Sequence, residues 1–323
     1  IMNILKHGDC LKELPNLEDK SVDLIVIDPP YNINKASWDD MGYAKRGVSQ
    51  RYRASEKDED GKYIPIEYTG ESYYDWMERV FIELDRVMKD SGSFWFFHND
   101  FRIMSELDRR IQLSTNFEYR NFIIWNKLFE GAQQKGFLEG FVKVKGLKNF
   151  QKICEYMLFY TRKDLHKKLQ KRRKAWNIKS SDIASEIVSK NGKVTGWYSN
   201  IETGKNYPTE ETIKPITKYL GFTIDDIVPK FFNQCTNHSI WNYDLVKKKQ
   251  GHITPKPTSM LENIILHCTE PDDVVLDCFA GSGSTGIAAL NTNRKYILIE
   301  KELDYYNITK ERIANHKSEA LDK

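Results

Sequence analysis

The chain lacks the residues that would tie it to an oxidising compartment or a membrane. Its five cysteines, Cys10, Cys154, Cys235, Cys268 and Cys278, are odd in number, scattered and free of any Cys-x-x-Cys pair. That excludes a disulfide framework and makes a reduced, cytoplasmic protein the expectation. Cys235 and His238 have ligand-like spacing, but no second close pair completes a tetrahedral metal site, so no metal is expected. No apolar run approaches the length that crosses a bilayer, and no signal-peptide pattern is visible. Charge of one sign is also missing: 49 Lys and Arg face 46 Asp and Glu, a net charge of +3 that by itself identifies no polyanion-binding protein. The hydrophobic content of 40% over 323 residues suits one large α/β domain with an insertion.

Against this background two motifs stand out. The run Asp277-Cys278-Phe279-Ala280-Gly281-Ser282-Gly283-Ser284-Thr285-Gly286 follows the apolar Val274-Val275-Leu276 and precedes the helix-like Ile287-Ala288-Ala289-Leu290. It predicts a strand, a glycine turn and a helix N-terminus, the usual cradle for a nucleotide-like cofactor. Gly281 and Gly283 let the backbone approach a ligand, and Asp277 can bind a charged amine. Glu300 ends the next strand, Tyr296-Ile297-Leu298-Ile299, about 20 residues on, where a carboxylate suits a ribose hydroxyl pair. Phe279 in the turn, with no hydride-transfer machinery following, favours S-adenosyl-L-methionine over a dinucleotide. The second motif, Asp28-Pro29-Pro30-Tyr31, follows the strand Leu24-Ile25-Val26-Ile27. A carboxylate, two rigid prolines and an aromatic at a strand end form a polar platform with a stacking face. Together the motifs point to methylation of an exocyclic base nitrogen.

Strands expected at 3–5, 22–28, 93–97, 122–125 and 156–160 alternate with helical periodicity from Tyr73 to Val87 and around 100–111. The expected fold is α/β, a doubly wound, mostly parallel sheet of Rossmann-like type. The polar stretches 32–70 and 131–148 read as loops beside the site. From 164 to 232 the texture becomes all-helical, with helices expected at Lys167–Trp176, Ser181–Val188, Val194–Glu202 and Glu210–Leu220. The chain therefore divides into 1–163, a helical insertion at 164–232, and 233–323. Residues 143–179 are densely basic, which suggests a phosphate-facing stripe.

In this order the motifs resemble the β-group of amino-methylating DNA methyltransferases, the adenine-N6 enzymes of Asp-Pro-Pro-Tyr type. The resemblance spans residues 3–40, 72–162 and 252–314. It implies a class I methyltransferase fold, S-adenosyl-L-methionine as cofactor and double-stranded DNA as partner. A cognate restriction endonuclease and a homodimer are left open. It further implies that Asp9 and Cys10 flank the cofactor's adenine and that Lys256-Pro257-Thr258 meets its carboxylate end. Within the insertion, Ser180-Ser181-Asp182-Ile183-Ala184, Trp197, Ile201-Glu202, Gly204, Pro208 and Leu220-Gly221-Phe222 resemble a Cro/C1-type helix-turn-helix. There Ser181 would cap the second helix, and Val194, Trp197 and Ile201 would face the core. Thr195, Ser199 and Asn200 would then read bases while Arg172 and Arg173 grip phosphate. The turn Ser189-Lys190-Asn191-Gly192-Lys193 is about four residues longer than such domains use.

The chemistry is consistent. An adenine amine is a poor nucleophile because its lone pair is delocalised into the ring. Asp28 and the Pro29 carbonyl can accept its two N–H bonds and stabilise the charge that grows on nitrogen. Tyr31 offers a stacking face to an extruded base, with Trp38 helping to cover it. His7, His98 and His252 are read as structural. Three rivals stand beside this reading: cytosine-N4 methylation, methylation of RNA or protein glutamine, and a DNA-binding regulator with a vestigial core. The resemblance associates Asp at the first motif position with adenine and Ser with cytosine.

Overall fold

The computed structural model describes residues 3–31, 51–57, 63–66, 72–133, 135, 138–139, 150, 152–163, 165–233, 238–246 and 255–321. In chain order the first elements are β1 (Ile4–His7), α1 (Cys10–Glu13), β2 (Val22–Ile27), β3 (Arg51–Lys57), β4 (Tyr63–Ile66), α2 (Tyr73–Val87), β5 (Met88–His98), α3 (Phe101–Ser114), β6 (Phe117–Asn126) and β7 (Cys154–Arg162). Four helices follow: α4 (Leu165–Ala175), α5 (Ser180–Ala184), α6 (Trp197–Glu202) and α7 (Glu210–Leu220). The chain then returns through β8 (Ile240–Asn242), α8 (Thr258–Cys268), β9 (Val274–Asp277), α9 (Ser284–Asn291), β10 (Lys295–Glu300) and α10 (Leu303–Leu321).

All six residues of β2 are buried, the mark of a strand covered on both faces. It sits between β9 and β5, parallel to both. The main sheet runs β1-β10-β9-β2-β5-β7-β6-β8, and only β7 opposes its neighbours. Helix α2 is closed by a capping box in which the Ser72 hydroxyl accepts from the Asp75 N–H at 3.1 Å. Its Trp76, Met77, Val80, Phe81, Leu84 and Val87 recur every three or four residues and pack one sheet face with Leu14, Leu107 and Ile111. Helices α8, α9 and α10 cover the other face through Met260, Leu261, Ile264, Ala288, Ala289 and Ile313. Thus β2 and β9, adjacent and parallel, lead into helices on opposite faces. Their carboxyl ends flank the crevice where ligands of such sheets bind.

Three segments depart from the sequence expectation. The stretch 32–70, read from the sequence as a loop, contains the antiparallel pair β3–β4. The expected helix 181–188 ends at Ala184, and Val188 forms an antiparallel bridge with Val194. The turn between them places Gly192 at φ +71° and donates Ser189 N–H to Lys193 O at 2.8 Å. That hairpin uses up the backbone N-terminal to Gly196, so α6 starts at Trp197 and Val194 is exposed rather than facing the core. Tyr198 and Ile201 fill that place. Ser181 lies within α5 and does not cap it; Lys179 is the N-cap and makes no side-chain capping bond.

Asp23 is the one charged residue inside β2, and it is buried. It accepts from Lys89 at 2.7 Å, Lys230 at 3.0 Å and the Val274 N–H at 3.0 Å, which ties β2 to β5, to β9 and to the segment following the helices. Burial works to raise its pKa, but these three donors prevail and hold it below the usual range. Asp23→Ala should cost about 2–4 kcal/mol in urea denaturation, since the donors lose a buried acceptor while the lysines retain some access to water. A loss below about 1 kcal/mol would mean the cluster contributes little to cohesion.

Candidate active site

The carboxyl edge of the sheet gathers side chains from distant parts of the chain. Asp28 follows β2 directly, where the two prolines end the strand. Its Oδ1 accepts from the Tyr31 hydroxyl and its Oδ2 from Lys256 Nζ. Tyr73, at the start of α2, donates its hydroxyl to Pro30 O at 2.9 Å and so fixes the turn. The Tyr31 ring lies against His98 at the end of β5, with centroids 4.6 Å apart. His98 Nδ1 accepts from the Asp100 N–H at 2.9 Å, which leaves the ring proton on Nε2. Burial lowers its pKa to about 3, so the ring is neutral at physiological pH.

The family resemblance implies Lys256 at the carboxylate end of a cofactor; in the structure its ammonium donates to Asp28. Lys256 Nζ also lies 3.3 Å from Tyr31 Oη and 3.3 Å from Glu155 Oε2. Glu155, near the start of β7, in turn accepts from Lys127 at 2.5 Å. Burial would lift the Glu155 carboxyl, but Lys256 and Lys127 hold it down at about 2. Burial dominates at Asp28 and raises its pKa, with Lys256 opposing. For Lys256, burial alone would lower the pKa; Asp28 and Glu155 outweigh it and keep the ammonium charged. Glu155 and Lys127 escape a reading of the sequence because no motif marks them, and His98, expected to be structural, stands at this edge too. The antiparallel insertion of β7 beside β5 is what brings Glu155 here.

The glycine turn lies at the neighbouring strand ends. Asp277 is buried, accepting from Thr285 Oγ1 at 2.6 Å and the Phe279 N–H at 3.0 Å. Burial pushes its pKa up to about 7. Among the described residues no cation pairs with it. Glu300 uses both oxygens on backbone: Oε2 accepts from Gly281 N–H at 2.7 Å and Oε1 from Glu302 N–H at 2.8 Å. The carboxylate expected to meet a ribose therefore also shapes the loop. Gly283, at φ +78°, has no substitute, because a Cβ there would lie 2.7 Å from Thr309 Cγ2. Ala280 N–H pairs with Ile299 O at 3.0 Å, and Arg312 holds Ser282 by its carbonyl and its hydroxyl. Phe279 packs on Trp76, centroids 5.8 Å apart. Asp9 caps α1 by accepting from Leu11 N–H at 3.0 Å, and buried Cys10 follows it. Gly8 N–H bonds Glu300 O at 2.9 Å, which joins this corner to the glycine turn. Lys256 and Pro257 lead directly into α8, whose first residue is Thr258.

The expected nucleic-acid residues lie apart from this edge, on helices α4–α7 and their own core of Leu169, Ile183, Tyr198, Ile201, Ile216, Leu220, Phe222 and Ile227. Thr195 and Ser199 are exposed and Asn200 is half-buried. Arg172 and Arg173, expected to grip phosphate, are engaged internally. Arg172 donates to Leu220 O at 2.9 Å and lies 3.8 Å above the Phe222 ring. Arg173 pairs with Glu202 at 2.6 Å and bonds Ile178 O at 3.1 Å. Lys171, Lys174 and Lys179 are among the exposed cations of this stretch. Trp38, Cys235, His252 and most of 131–148 lie outside the described residues.

This sheet, with acidic groups ringing the crevice between β2 and β9, is the Rossmann-like class I methyltransferase fold. The chain belongs to the DNA methylase family N6_N4_Mtase, whose profile matches residues 22–311. It is 27% identical over 319 residues to the type II methyltransferase M1.MboII of Moraxella bovis, covering 95% of this chain and 94% of that protein. It is 26% identical over 318 residues to the DNA adenine methyltransferase YhdJ of Escherichia coli K12, covering 97% and 83%. In fold it resembles the TTHA0409 protein of Thermus thermophilus complexed with S-adenosyl-L-methionine, with a TM-score of 0.53, 20% identity and coverage of 97% and 94%. It also resembles the cytosine-N4-specific PvuII DNA methyltransferase, with a TM-score of 0.55, 15% identity and coverage of 100% and 93%.

The raised pKa of Asp277 has a stability consequence. A carboxyl whose folded pKa exceeds its unfolded value stabilises the fold below the unfolded pKa and loses that contribution as pH rises through the folded one. Between about pH 4 and pH 7 the loss is a few kcal/mol at most, since each tenfold change in proton affinity is worth roughly 1.4 kcal/mol. Asp277→Asn removes the titration, so its melting temperature should gain on the wild type as pH rises from about 5 to 8. A difference between the two proteins that stays constant over that range would contradict a raised Asp277 pKa.

Proposed function

We propose that this DNA methyltransferase methylates N6 of adenine in double-stranded DNA, with S-adenosyl-L-methionine as the methyl donor. The observation that carries the reading is Asp28 itself: a carboxylate held at the end of the central strand, between a tyrosine and a buried lysine, and followed by two prolines. When bound, the donor supplies an electrophilic methyl group on a sulfonium. The rest is the work of this chain's residues. Asp277 fits the donor's cationic end, being a buried carboxylate with no cationic partner among the described residues. Gly281, Gly283, Glu300, Asp9 and Cys10 line the strand ends where its nucleoside would sit. Phe279, Ala280 and Ser282 complete the turn. Asp28 and the Pro29 carbonyl accept the two N–H bonds of the amine and stabilise the positive charge that develops on nitrogen. Their fixed placement supplies much of the remaining acceleration. No strong base is required, because the methylated ammonium is acidic and sheds its proton afterwards. Tyr31, braced by His98, gives a flipped base a surface to stack on.

Two features favour adenine over cytosine: the acidic first position of the motif, and a relative that carries the name adenine methyltransferase. Relatives named as type II methyltransferases support a place in a restriction-modification system. The helices of 164–232 are proposed as the target-recognition unit inserted between the two catalytic parts, 1–163 and 233–323. Thr195, Ser199 and Asn200 are its candidate base readers.

Digestion of methylation-free DNA treated with the protein, followed by mass spectrometry of the nucleosides, should show N6-methyladenine. Asp28→Ala should cut the rate by about 10²–10³ or more while cofactor affinity stays within a few-fold. N4-methylcytosine in the digest would transfer the reading to cytosine, and near-normal turnover of the variant would remove Asp28 from the chemistry.

Once methylome sequencing gives the site, the recognition unit can be tested on cognate and scrambled duplexes. Replacing Thr195, Ser199 and Asn200 together by Ala should cost roughly 1–3 kcal/mol of discrimination per lost base contact. Replacing Lys171 and Lys174 by Gln should weaken both duplexes alike and lower the salt slope by about one per phosphate contact. Arg172→Ala and Arg173→Ala should instead lower the melting temperature. A triple variant that keeps full affinity and full preference would make these helices scaffold.

A further inference from the structure

Both oxygens of Asp28 are already engaged, one by Tyr31 and one by Lys256. An incoming amine therefore has to displace a donor, and the displaced group must find a new partner within a closed space. For Lys256 the cost is high, because an ammonium that is only 7% exposed cannot fall back on water. Its environment holds one other anionic acceptor among the described residues. Glu155 Oε2 stands 3.3 Å from Lys256 Nζ, an ion-pair contact in which Oε2 receives no hydrogen bond; it is a buried acceptor without a donor. Its twin, Oε1, is fastened by Lys127, and the Lys127 ammonium lies 4.5 Å above the Trp125 ring. The Glu155 backbone is registered opposite Trp125 in the β6–β7 ladder, so this carboxylate is held in place. The lysine is the movable partner, with a long flexible side chain and a backbone just before Pro257 and α8.

We propose that Glu155 is a positioning residue for methyl transfer, supplying the acceptor to which Lys256 swings its ammonium when the target amine takes Asp28 Oδ2. This inference rests on the role proposed for Asp28. No bond is made or broken in the step: Lys256 exchanges one carboxylate for another, and the two lysines and two carboxylates stay neutral as a group throughout. The exchange does two things for the reaction. Before the base arrives, Lys256 opposes the burial that raises the Asp28 pKa and so favours its ionised form. After it arrives, the ammonium moves off the oxygen that must receive the amine, yet remains near enough to favour the charged carboxylate. The other titratable groups facing Asp28 and Lys256 are Tyr31 after β2, Tyr73 on α2, His98 at the end of β5, Lys127 after β6 and Asp277 at the end of β9. Of these only Asp277 is a further carboxyl, and it is already held by Thr285 and a backbone amide.

The test is single-turnover transfer of tritiated methyl from S-adenosyl-L-methionine to methylation-free DNA, with cofactor affinity measured by calorimetry. Wild-type labelling of adenine is the control for the underlying reading; without it that reading fails, whatever Glu155 does. Given it, Glu155→Gln should lower the transfer rate by about tenfold or more with cofactor Kd unchanged, since an amide offers Lys256 no counter-charge. Glu155→Asp, which keeps the charge but withdraws it by about one bond length, should fall between wild type and the amide. It also serves alone if the amide impairs folding. The discriminating measurement is the double variant Glu155→Gln with Lys256→Met, followed as pH is raised, which favours the ionised form of Asp28 once the lysine is gone. It should be faster than Glu155→Gln alone, because the clamp on Asp28 is gone. A double variant no faster than the single would reduce Glu155 to a structural role, and a wild-type rate in either single variant would remove it from the reaction.

Discussion

The structure turns on charge placed at the dry end of a sheet. Asp28, Asp277, Glu300 and Glu155 converge where β2, β9, β10 and β7 reach one edge, and none can stay ionised there without compensation. The protein answers each case differently. Lys256 and Lys127 neutralise Asp28 and Glu155. Backbone amides take up both oxygens of Glu300. Asp277 receives a hydroxyl and an amide but no cation among the described residues, and its pKa is pushed up to about 7. That difference marks Asp277 as the carboxylate that still has room for a positive ligand.

The central strand makes this possible because it is anchored at both ends by charge. At its start Asp23 draws Lys89, Lys230 and a β9 amide together; at its end Asp28 draws Tyr31 and Lys256. Between them lie the wholly apolar residues Leu24 to Ile27, packed on both faces. An apolar strand with polar clamps at each end is held against slippage, and register matters here because a shift of one residue would turn Asp28 to the other face of the sheet. The same logic governs the glycine turn, where Glu300 pins Gly281 and Thr309 packs against Gly283.

The helical unit is a separate physical problem. Its core is a small cluster of side chains from α4 to α7, and two of its arginines are committed to internal contacts that close the bundle. Cation character at its surface then falls to lysines, which suit phosphate as point charges rather than as fixed geometry. The unit docks on the sheet by the Lys168–Asp90 ion pair and by an Arg120–Tyr207 hydrogen bond of 2.8 Å. Polar contacts of this kind suit an element whose side chains are proposed to follow DNA.

Some of this was legible in the chain alone. Apolar runs such as Leu24–Ile27 and Val274–Leu276 read as buried strands, and the residues that end them, a carboxylate with prolines or with glycines, announce turns with chemistry. The periodicity running from Tyr73 to Val87 placed a helix there. The hairpin at Val188 and Val194 was not legible, because a glycine turn and a helix start compete for the same few residues and long-range packing of Tyr198 decides between them. Nor could local pattern show which charges meet. Arg172 and Arg173 look free in sequence and are committed in space, whereas Lys256 and Lys127, distant in sequence, meet at Glu155. The sequence by itself determined the strands, the two motifs and the residue types at the site, because these are set by neighbours within a few positions. Only the tertiary structure decided the partners, because the Coulomb interaction depends on distance through space, and the antiparallel entry of β7 beside β5 sets that distance.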